Sequence, residues 1–341
     1  MRTKNLLVLI GSVCLAVMLA LPLVAGCAAP TPTPTPTPTP AADPLDEPLV
    51  PMALSFGSGG LGGTYYPYEG GVAELINKNL PGFRATVEVT GGSVSNVRLV
   101  QSGEAQLGGT QTDVAKEAYE GIGRFEGEKL GSLRGLFSMF PEYAQIVTLE
   151  SSHIYTIADI VGKRFSTGSP GSGTEVICKY IYTALGYTDD DFVINRLGFS
   201  EQVAALKDGT LDVGFWIVGM PTSSIIDLAS THKIRIIPIT PEEVAKVNAA
   251  YPYYFAGTIP AGTYSGVDVD VPSLFVGSLI AVHEEMQYRL AYEIVKLVYE
   301  NLDYLRTVHV AANHTTLESG PKVAIPLHPG AERYYKEMGI L

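Results

Sequence analysis

Residues 53–66 have the sequence ALSFGSGGLGGTYY. A short apolar run is followed by a loop rich in glycine and then by the start of a helical pattern. Residues 84–102 and 164–185 repeat this order of strand, glycine-rich loop and helix. Alternation of short apolar strands with longer helices is typical of an α/β domain whose strands are mostly parallel. The sequence therefore predicts an α/β fold.

Apolar segments farther along the chain extend this pattern. The first helix is expected over residues 68–80, and a long helix over residues 284–308. Further strands are expected over residues 134–149, 211–218, 234–238 and 274–282. The chain has 341 residues, which is enough for about two domains with a core of their own.

The net charge argues against one class of partner. The chain has 23 Lys and Arg residues against 35 Asp and Glu residues, which gives a formal charge of −12. General nucleic-acid binding needs a basic face that displaces counterions from phosphate. We therefore expect no nucleic-acid partner. An apolar fraction of 46% and a charged fraction of 17% indicate a globular chain.

The N-terminus has the pattern of a secretory signal. Arg2 and Lys4 precede an apolar run over residues 6–25, and small residues lead from it into Cys27. This exit resembles the bacterial lipobox, in which the cysteine is lipidated. We expect a signal peptide over residues 1–26 and a lipid on Cys27, so that the mature protein is extracytoplasmic and membrane-anchored. The alternative is an uncleaved membrane anchor.

Residues 27–51 are expected to form a linker. Residues 31–40 alternate strictly between threonine and proline, a composition that favours an extended, semi-rigid spacer. Such a spacer would hold the folded part away from a membrane surface. After loss of the signal and lipidation of Cys27, Cys178 is left without a partner for a disulfide, and its apolar surroundings indicate a core position.

Three glycine-rich loops lie between a strand and a helix, over residues 57–66, 90–93 and 168–174. Helix N-termini present free N–H groups and a partial positive charge, so that several converging ones make a site for carboxylate or phosphate. In open α/β sheets such loops meet at the carboxyl ends of the strands. The alternative is that the glycines form tight turns and the hydroxyl groups cap helices.

The first loop also matches the dinucleotide pattern G-x-G-x-x-G, over residues 57–62. Two features argue against that reading. Pro67 and the pair of glycines at 70–71 predict a helix that starts too late, and Glu88 is expected inside the next strand and not at its end. We therefore expect no nucleotide and no other cofactor.

Seven motifs resemble the TAXI family of extracytoplasmic solute receptors, which serve tripartite ATP-independent periplasmic (TRAP) transport systems. The motifs are GLGGTYYP at 60–67, TGGSVSN at 90–96, QSGEA at 101–105, QTDVA at 111–115, GSGTE at 171–175, IPAGTY at 259–264 and IPLHPGAERYY at 325–335. They occur in order from residue 52 to the end.

The resemblance implies a two-lobed periplasmic binding protein fold of type II with the ligand cleft between the lobes. Lobe one would comprise residues 52–139 and 266–341, and lobe two residues 140–265. The hinge would be formed by the chain crossings near residues 136–149 and 266–282. The ligand would be a small organic anion such as glutamate, a related amino acid or a 2-oxoglutarate-like dicarboxylate, delivered to the TRAP permease subunits in the membrane.

The resemblance also implies a set of ligand-binding residues. Ser93, Ser172 and Thr174 would take the ligand carboxylates. Asp113 would bind an ammonium group or cap its helix, and Trp216 would be either cleft wall or plain core. The full set is Ser58, Gly60, Thr64, Tyr65, Ser93, Asn96, Thr112, Asp113, Gly171, Ser172, Gly173, Thr174, Phe215, Trp216 and Gly219.

Sequence signatures of catalysis are missing from the chain. It has no G-x-S-x-G elbow, no H-E-x-x-H motif and no P-loop. We therefore expect a receptor that is not an enzyme and holds no metal. The alternative function is that of a sensory ligand-binding lipoprotein that signals to a membrane receptor.

Overall fold

The computed structural model describes residues 42–341, so the predicted signal peptide, Cys27 and the Thr-Pro repeat lie outside the described residues. Ten strands occur in the described part: β1 (Ala53–Gly57), β2 (Arg84–Glu88), β3 (Leu107–Gln111), β4 (Leu133–Leu149), β5 (Arg164–Ser166), β6 (Val193–Asn195), β7 (Val213–Val218), β8 (Ile234–Ile237), β9 (Phe255–Ile259) and β10 (Val271–His283). The strand predictions are confirmed to within a few residues.

Ten α-helices accompany these strands in the same part of the chain. They are α1 (Tyr65–Asn79), α2 (Ser93–Ser102), α3 (Thr112–Glu120), α4 (Gly173–Ala184), α5 (Phe199–Lys207), α6 (Ser223–Thr231), α7 (Pro241–Ala250), α8 (Tyr288–Glu300), α9 (Leu302–Val308) and α10 (Pro329–Glu337). None of the helices within residues 42–341 combines the length and the apolar character that a bilayer crossing requires.

The strands form one mixed sheet in the order β2-β1-β3-β10-β4-β7-β5-β6, with β8 paired to β4 and β9 paired to β10. Among the described strands, four pairs are parallel and five are antiparallel. The expectation of mostly parallel strands was therefore wrong. The reason is that β4 and β10 run antiparallel to all of their neighbours, and together they join the two parallel groups.

Buried side chains divide the described chain into two halves. The first half, residues 42–140 and 277–341, carries α1, α8 and α10 on one face of its strands and α2 and α3 on the other. The second half, residues 141–276, carries α4 and α7 on one face and α5 and α6 on the other. Each half therefore has helices on both faces of its sheet, as the alternation of strands and helices predicts.

The pairing of β4 with β10 is irregular where the chain passes between the halves. The register shifts between Gly277 and Leu279, opposite Pro141 and Ser138. At this point the Ser278 hydroxyl donates to the backbone oxygen of Phe140 over 2.7 Å. A side-chain bond thus takes the place of a regular ladder bond at the junction of the halves.

Two helix predictions need correction. Helix α1 begins at Tyr65, three residues earlier than expected, because Pro67 lies in the first turn, where a missing N–H costs nothing. The predicted helix over 284–308 is two helices, α8 and α9, with a break at Asn301, whose backbone leaves the helical region.

Candidate functional site

A cavity of about 40 Å³ lies between the two halves. Its wall in the first half comes from the loops before α1 and α2 and from β3, and its wall in the second half from the loop before α4, from α5 and from β7. Glu142 of β4, the strand that runs from the first half into the second, also lines the cavity. The lining residues are Gly59, Gly60, Gly63, Thr64, Tyr65, Gly91, Gly92, Ser93, Gln111, Glu142, Ser169, Ser172, Gly173, Thr174, Phe199, Ile217 and Val218.

Three helix N-termini converge on this cavity. Tyr65, Ser93 and Gly173 are the first residues of α1, α2 and α4, and all three line it. Their backbone N–H groups and that of Thr174 have no acceptor among the described residues. Gly92, which precedes α2, has a φ of 106°, a conformation that favours glycine. The predicted convergence of glycine loops therefore produces a set of free N–H donors.

The two serine hydroxyls near these N-termini differ in the number of hydrogen bonds that they already make within the chain. Ser172 accepts from the N–H of Glu175 over 3.0 Å and donates to the oxygen of Ser169 over 2.7 Å, so it caps its own helix. Ser93 Oγ accepts from the N–H of Gln111 over 3.2 Å, and its proton is still free to be donated. Ser93 is therefore a better donor to a ligand than Ser172.

One acidic side chain, Glu142 of β4, lies on the cavity wall and is 2% exposed. Its Oε2 accepts a hydrogen bond of 2.5 Å from Nε2 of Gln111. Burial, with the nearby Asp113 carboxylate, raises the pKa of Glu142 to about 8, although the bond from Gln111 and the nearby Tyr65 hydroxyl oppose that shift. The buried position therefore favours the protonated form of the Glu142 carboxyl when the cavity holds no cation.

Two polar atoms beside Glu142 lack a hydrogen-bond partner of ordinary geometry in the described chain. They are Oη of Tyr65 and Oε1 of Gln111, and both side chains are more than nine-tenths buried. Buried polar groups are normally paired, so unpaired ones at a cavity wall indicate where a ligand would bond.

A second buried acid, Glu69, lies one helical turn after Tyr65 in α1. Both of its carboxyl oxygens are buried and lack a hydrogen-bond partner in the described chain. Burial raises the pKa of Glu69 well above the usual range, the nearby Ser58 hydroxyl opposes that shift, and an ionised Glu142 adds to it. A Cβ at Gly109 would lie 2.0 Å from Glu69 Oε1, so the acid packs directly against the backbone of β3.

Phe215, which was expected on the cleft wall with Tyr65, is not part of it, and Trp216 takes the core position that was its alternative. Phe199, at the start of α5, lines the cavity together with Ile217 and Val218. The Trp216 ring lies behind Phe199, with ring centroids 6.3 Å apart, and its Nε1 donates to Ser224. Phe215 points into the core of the second half, because neighbouring residues of β7 alternate between opposite faces.

Seven of the expected site residues line the cavity, and eight lie outside its wall. Those on the wall are Gly60, Thr64, Tyr65, Ser93, Ser172, Gly173 and Thr174. Those outside it are Ser58, Asn96, Thr112, Asp113, Gly171, Phe215, Trp216 and Gly219.

Among the residues outside the wall, Asn96 holds the loops together. Its Nδ2 donates to the backbone oxygens of Ser58 and Gly109, each over 2.7 Å, and its Oδ1 accepts from the Thr90 hydroxyl. Asn96 therefore positions the first two glycine loops instead of facing a ligand.

Asp113 belongs to the contact between the halves. It accepts a hydrogen bond of 2.8 Å from the hydroxyl of Tyr254, in the second half. The hydroxyl of Tyr180, on α4, bonds in the same way to Glu117 over 2.9 Å. Burial raises the pKa of Asp113 to about 6. Asp113 is the second residue of α3 and not the residue before it, so it does not have the expected role of capping the helix. Because it is also absent from the cavity wall, it is not placed to bind a ligand ammonium group.

Hydrogen bonds also join the halves around the cavity mouth. The Thr222 hydroxyl donates to the oxygen of Gly62 over 2.7 Å, and the Thr64 hydroxyl donates to the oxygen of Gly219 over 2.9 Å. On the other side of the mouth, the N–H of Ser95 donates to Gly171 over 3.1 Å. The two halves are thus closed over the cavity.

Basic side chains lie elsewhere in the described structure. Arg98, Arg134 and Arg164 pair with Glu128, Glu284 and Asp212 respectively. No Lys, Arg or His is among the residues that line the cavity. The cavity's donors to an anion are therefore backbone N–H groups and hydroxyls.

Sequence reasoning missed Gln111, Glu142 and Phe199. Glu142 had a detectable signal, since it is the one charged residue between Arg134 and Glu150 in a long apolar strand. Phe199 had none, because its place on the wall depends on how α5 packs against the opposite half.

The two arguments against a dinucleotide site were wrong. Helix α1 starts three residues after Gly62, and Glu88 is the last residue of β2. Glu88 is nevertheless absent from the cavity wall, so no acidic residue at the end of β2 is placed to bond a ribose hydroxyl there.

Comparison with known proteins gives a family match over most of the chain. A sequence model of the NMT1-like family matches residues 56–339. This range includes the three glycine loops, β4 and β10, and every residue of the cavity wall.

Solved structures of transport binding proteins are similar to the chain at low sequence identity. The binding protein component of an ABC phosphonate transporter from Pseudomonas aeruginosa is 11% identical, with a TM-score of 0.52 over 78% of this chain and 80% of that one. A putative L-cystine ABC transporter protein from Listeria monocytogenes is 14% identical, with a TM-score of 0.48 over 78% and 98%. The first of these similarities confirms the predicted fold, that of a type II periplasmic binding protein.

Proposed function

The chain belongs to the NMT1-like family, and on that premise we propose that it is an extracytoplasmic receptor for a small solute, which it closes into the cavity between its halves. The solute class we propose is a small organic anion, namely glutamate, a related amino acid or a 2-oxoglutarate-like dicarboxylate. The TAXI-like motifs of the sequence support delivery of that solute to a TRAP permease in the membrane.

The observation that carries this proposal is the convergence of free helix N-termini on a closed cavity. Ser93 belongs to the first half and Gly173 to the second, so that one carboxylate between them would bond to both halves at once. Backbone N–H groups and helix dipoles favour an anion at such a place. A solute that bonds both halves stabilises the closed form over any open one.

We further propose that the two halves are lobes which move about β4 and β10. The irregular pairing around Gly277 and the Ser278 bond to Phe140 support a hinge at this point. Val271 and Leu274 pack in the cores of the second half, which supports a boundary about ten residues later than the one at 266 expected from the sequence.

For the localisation we propose that Cys27 carries a lipid and that residues 27–51 tether the receptor to the membrane. A proline-rich tether keeps the folded part close to a permease while leaving it free to turn toward it.

A thermal-shift screen of the full chain tests the proposed function. The solutes are amino acids, 2-oxo acids and dicarboxylates. A ligand at 100 times its dissociation constant adds about 2.7 kcal/mol of stability, which corresponds to several degrees in a protein of this size. We expect a selective hit that leaves the solute chemically unchanged. A folded chain that responds to none of these solutes would refute the proposal.

A further inference from the structure

We infer that the solute carries a primary ammonium group, which binds to Glu142 and Gln111 while its carboxylate bonds to the N-termini of α2 and α4. This inference rests on the proposed function and narrows it to α-amino acids. It assigns to Glu142 a role as the residue that distinguishes an amino acid from the oxo acid of the same carbon skeleton.

The unpaired atoms on the cavity wall fall into two groups. The free donors are N–H groups of the three helix N-termini, including those of Ser93 and Gly173. Beside Glu142, Oε1 of Gln111 has no hydrogen-bond partner in the described chain, and the Tyr65 hydroxyl, which can donate or accept, has none of ordinary geometry. A zwitterion offers an acceptor group to the donors and a donor group to the oxygens, and so satisfies both sets.

The charges of the wall point to the same ligand. Glu142 is the one acidic residue on the wall, and no basic residue accompanies it there. A buried carboxylate without a counter-charge is unfavourable, and a bound ammonium group provides that charge. A metal ion is a weaker fit, because residues 42–341 contain no group of three or more His, Cys, Asp or Glu side chains arranged to hold one.

The second carboxylate of a dicarboxylic acid would meet hydrogen-bond acceptors, and not donors, beside Glu142. Gln111 already uses its Nε2 to donate to Glu142, which leaves its oxygen beside the cavity. A ligand carboxylate there would face the carbonyl oxygen of Gln111 and the oxygens of Glu142. Only a proton held on Glu142 or the Tyr65 hydroxyl would be available to bond it.

The two ligand types therefore have opposite effects on the proton of Glu142. An ammonium group favours the ionised carboxyl, so an amino acid releases the proton as it binds. An anion favours the protonated carboxyl. The titratable groups that face Glu142 are Tyr65 and Glu69 of α1 and Asp113 of α3, and its neighbour across the ladder in β10 is the apolar Val276. None of these groups provides a positive charge.

The experiment is a calorimetric titration of the full chain with two matched pairs, alanine against pyruvate and glutamate against 2-oxoglutarate. We expect at least one amino acid to bind 10-fold or more tightly than its oxo acid. Because Glu142 has a pKa of about 8, the affinity for the amino acid rises about 10-fold from pH 6 to pH 7. At pH 6, titrations in buffers of different ionisation enthalpy should show the release of close to one proton per bound solute.

The test variant is Glu142→Gln, with the exposed Glu300→Gln of α8 as its matched control. Glutamine has the shape and the charge of the protonated acid, so folding should be preserved, which circular dichroism checks. We expect Glu142→Gln to lose at least 10-fold in affinity for the amino acid, together with the pH dependence and the proton release. The control should keep all three.

Several results would overturn the inference. If an oxo acid binds as tightly as its amino acid, or if wild-type protein takes up protons on binding, Glu142 does not hold an ammonium group. The proton measurement needs no variant, so this outcome is decisive even if Glu142→Gln fails to fold. A chain that binds none of the four solutes overturns the inference, whereas the proposed function is contradicted only if the wider thermal-shift screen also gives no hit.

Discussion

Replacement of Thr222 by valine removes one of the hydrogen bonds that hold the halves closed. The Thr222 hydroxyl donates to the oxygen of Gly62 over 2.7 Å across the cavity mouth, and its side chain is fully buried. Thr222 does not line the cavity, so the substitution leaves the contacts of the solute unchanged. Valine keeps the branched shape at the residue before α6.

The size of the effect follows from this single bond. A buried hydrogen bond contributes about 0.5–1.5 kcal/mol net. The Gly62 oxygen keeps a second, longer bond of 3.3 Å from the N–H of Ser224, so the loss should be near the middle of that range. A loss of about 1 kcal/mol lowers the ratio of closed to open molecules about fivefold. The apparent affinity falls by up to the same factor.

The assay measures affinity and shape in the same samples. Calorimetric titration gives the affinity for the solute that stabilises the chain most, and small-angle X-ray scattering gives the radius of gyration without it. The matched control is Thr148→Val, which removes a 2.7 Å bond to the oxygen of Asp212 inside the second half. We expect both variants to lose stability, but only Thr222→Val to bind more weakly and to become larger without solute.

Equal affinities in wild type and Thr222→Val would refute this reasoning, provided that the thermal stability of the variant shows that the bond was lost. A weaker affinity in Thr148→Val of the same size would also refute it, because the effect would then come from general destabilisation.

Three further predictions concern the cavity wall, a buried acid and the cysteine. Gly173→Ala should lower the solute affinity at least 10-fold in a titration, because the new Cβ would lie 1.7 Å from Oε1 of Gln111. Its control is Gly70→Ala in α1, whose Cβ meets no atom within 4 Å and which should raise stability by about 1 kcal/mol. Equal effects of the two variants on solute affinity and on stability would contradict this contrast. Glu69→Gln should be more stable than wild type by a margin that grows with pH, up to about 1.4 kcal/mol per pH unit. The reason is that the raised pKa of Glu69 makes the folded wild-type chain hold a proton that the unfolded chain releases. Urea unfolding at pH 5, 7 and 9 measures this margin, and a margin that does not change with pH would count against the prediction. Burial raises the pKa of the Cys178 thiol, so alkylation of Cys178 at pH 8 should be slow in the folded chain and fast in urea. Rapid labelling of the folded chain would disprove the core position of Cys178.

The sequence was a good guide to the parts of the site that depend on local backbone. Each glycine loop stands between a strand and a helix, and the pattern of small residues predicts a helix N-terminus close to Ser93 and Gly173, whereas the one at Tyr65 was expected three residues later. The α/β class also follows from local patterns, because short strands and amphipathic helices alternate along the chain.

The parts that depend on long-range packing could not be predicted in the same way. The mixed sheet arises because β4 and β10 join the halves, and no local pattern reveals which strands are neighbours. Phe215 was expected at the cleft and Trp216 either there or in the core, but the alternation of β7 turns both into the cores. Glu142 was detectable as an acid in an apolar strand, yet its place opposite Gln111 is set by how β3 and β4 both pack against β10.

A crystal structure of the full chain with the solute that gives the largest thermal shift tests the central proposal most directly. We expect one solute in the cavity between the halves, with its carboxylate within hydrogen-bond distance of the N–H groups of Gly173 and Thr174 and its ammonium group on Glu142. A solute bound elsewhere, for instance in the groove between Met52 and Leu290, with the cavity between the halves unoccupied, would contradict it.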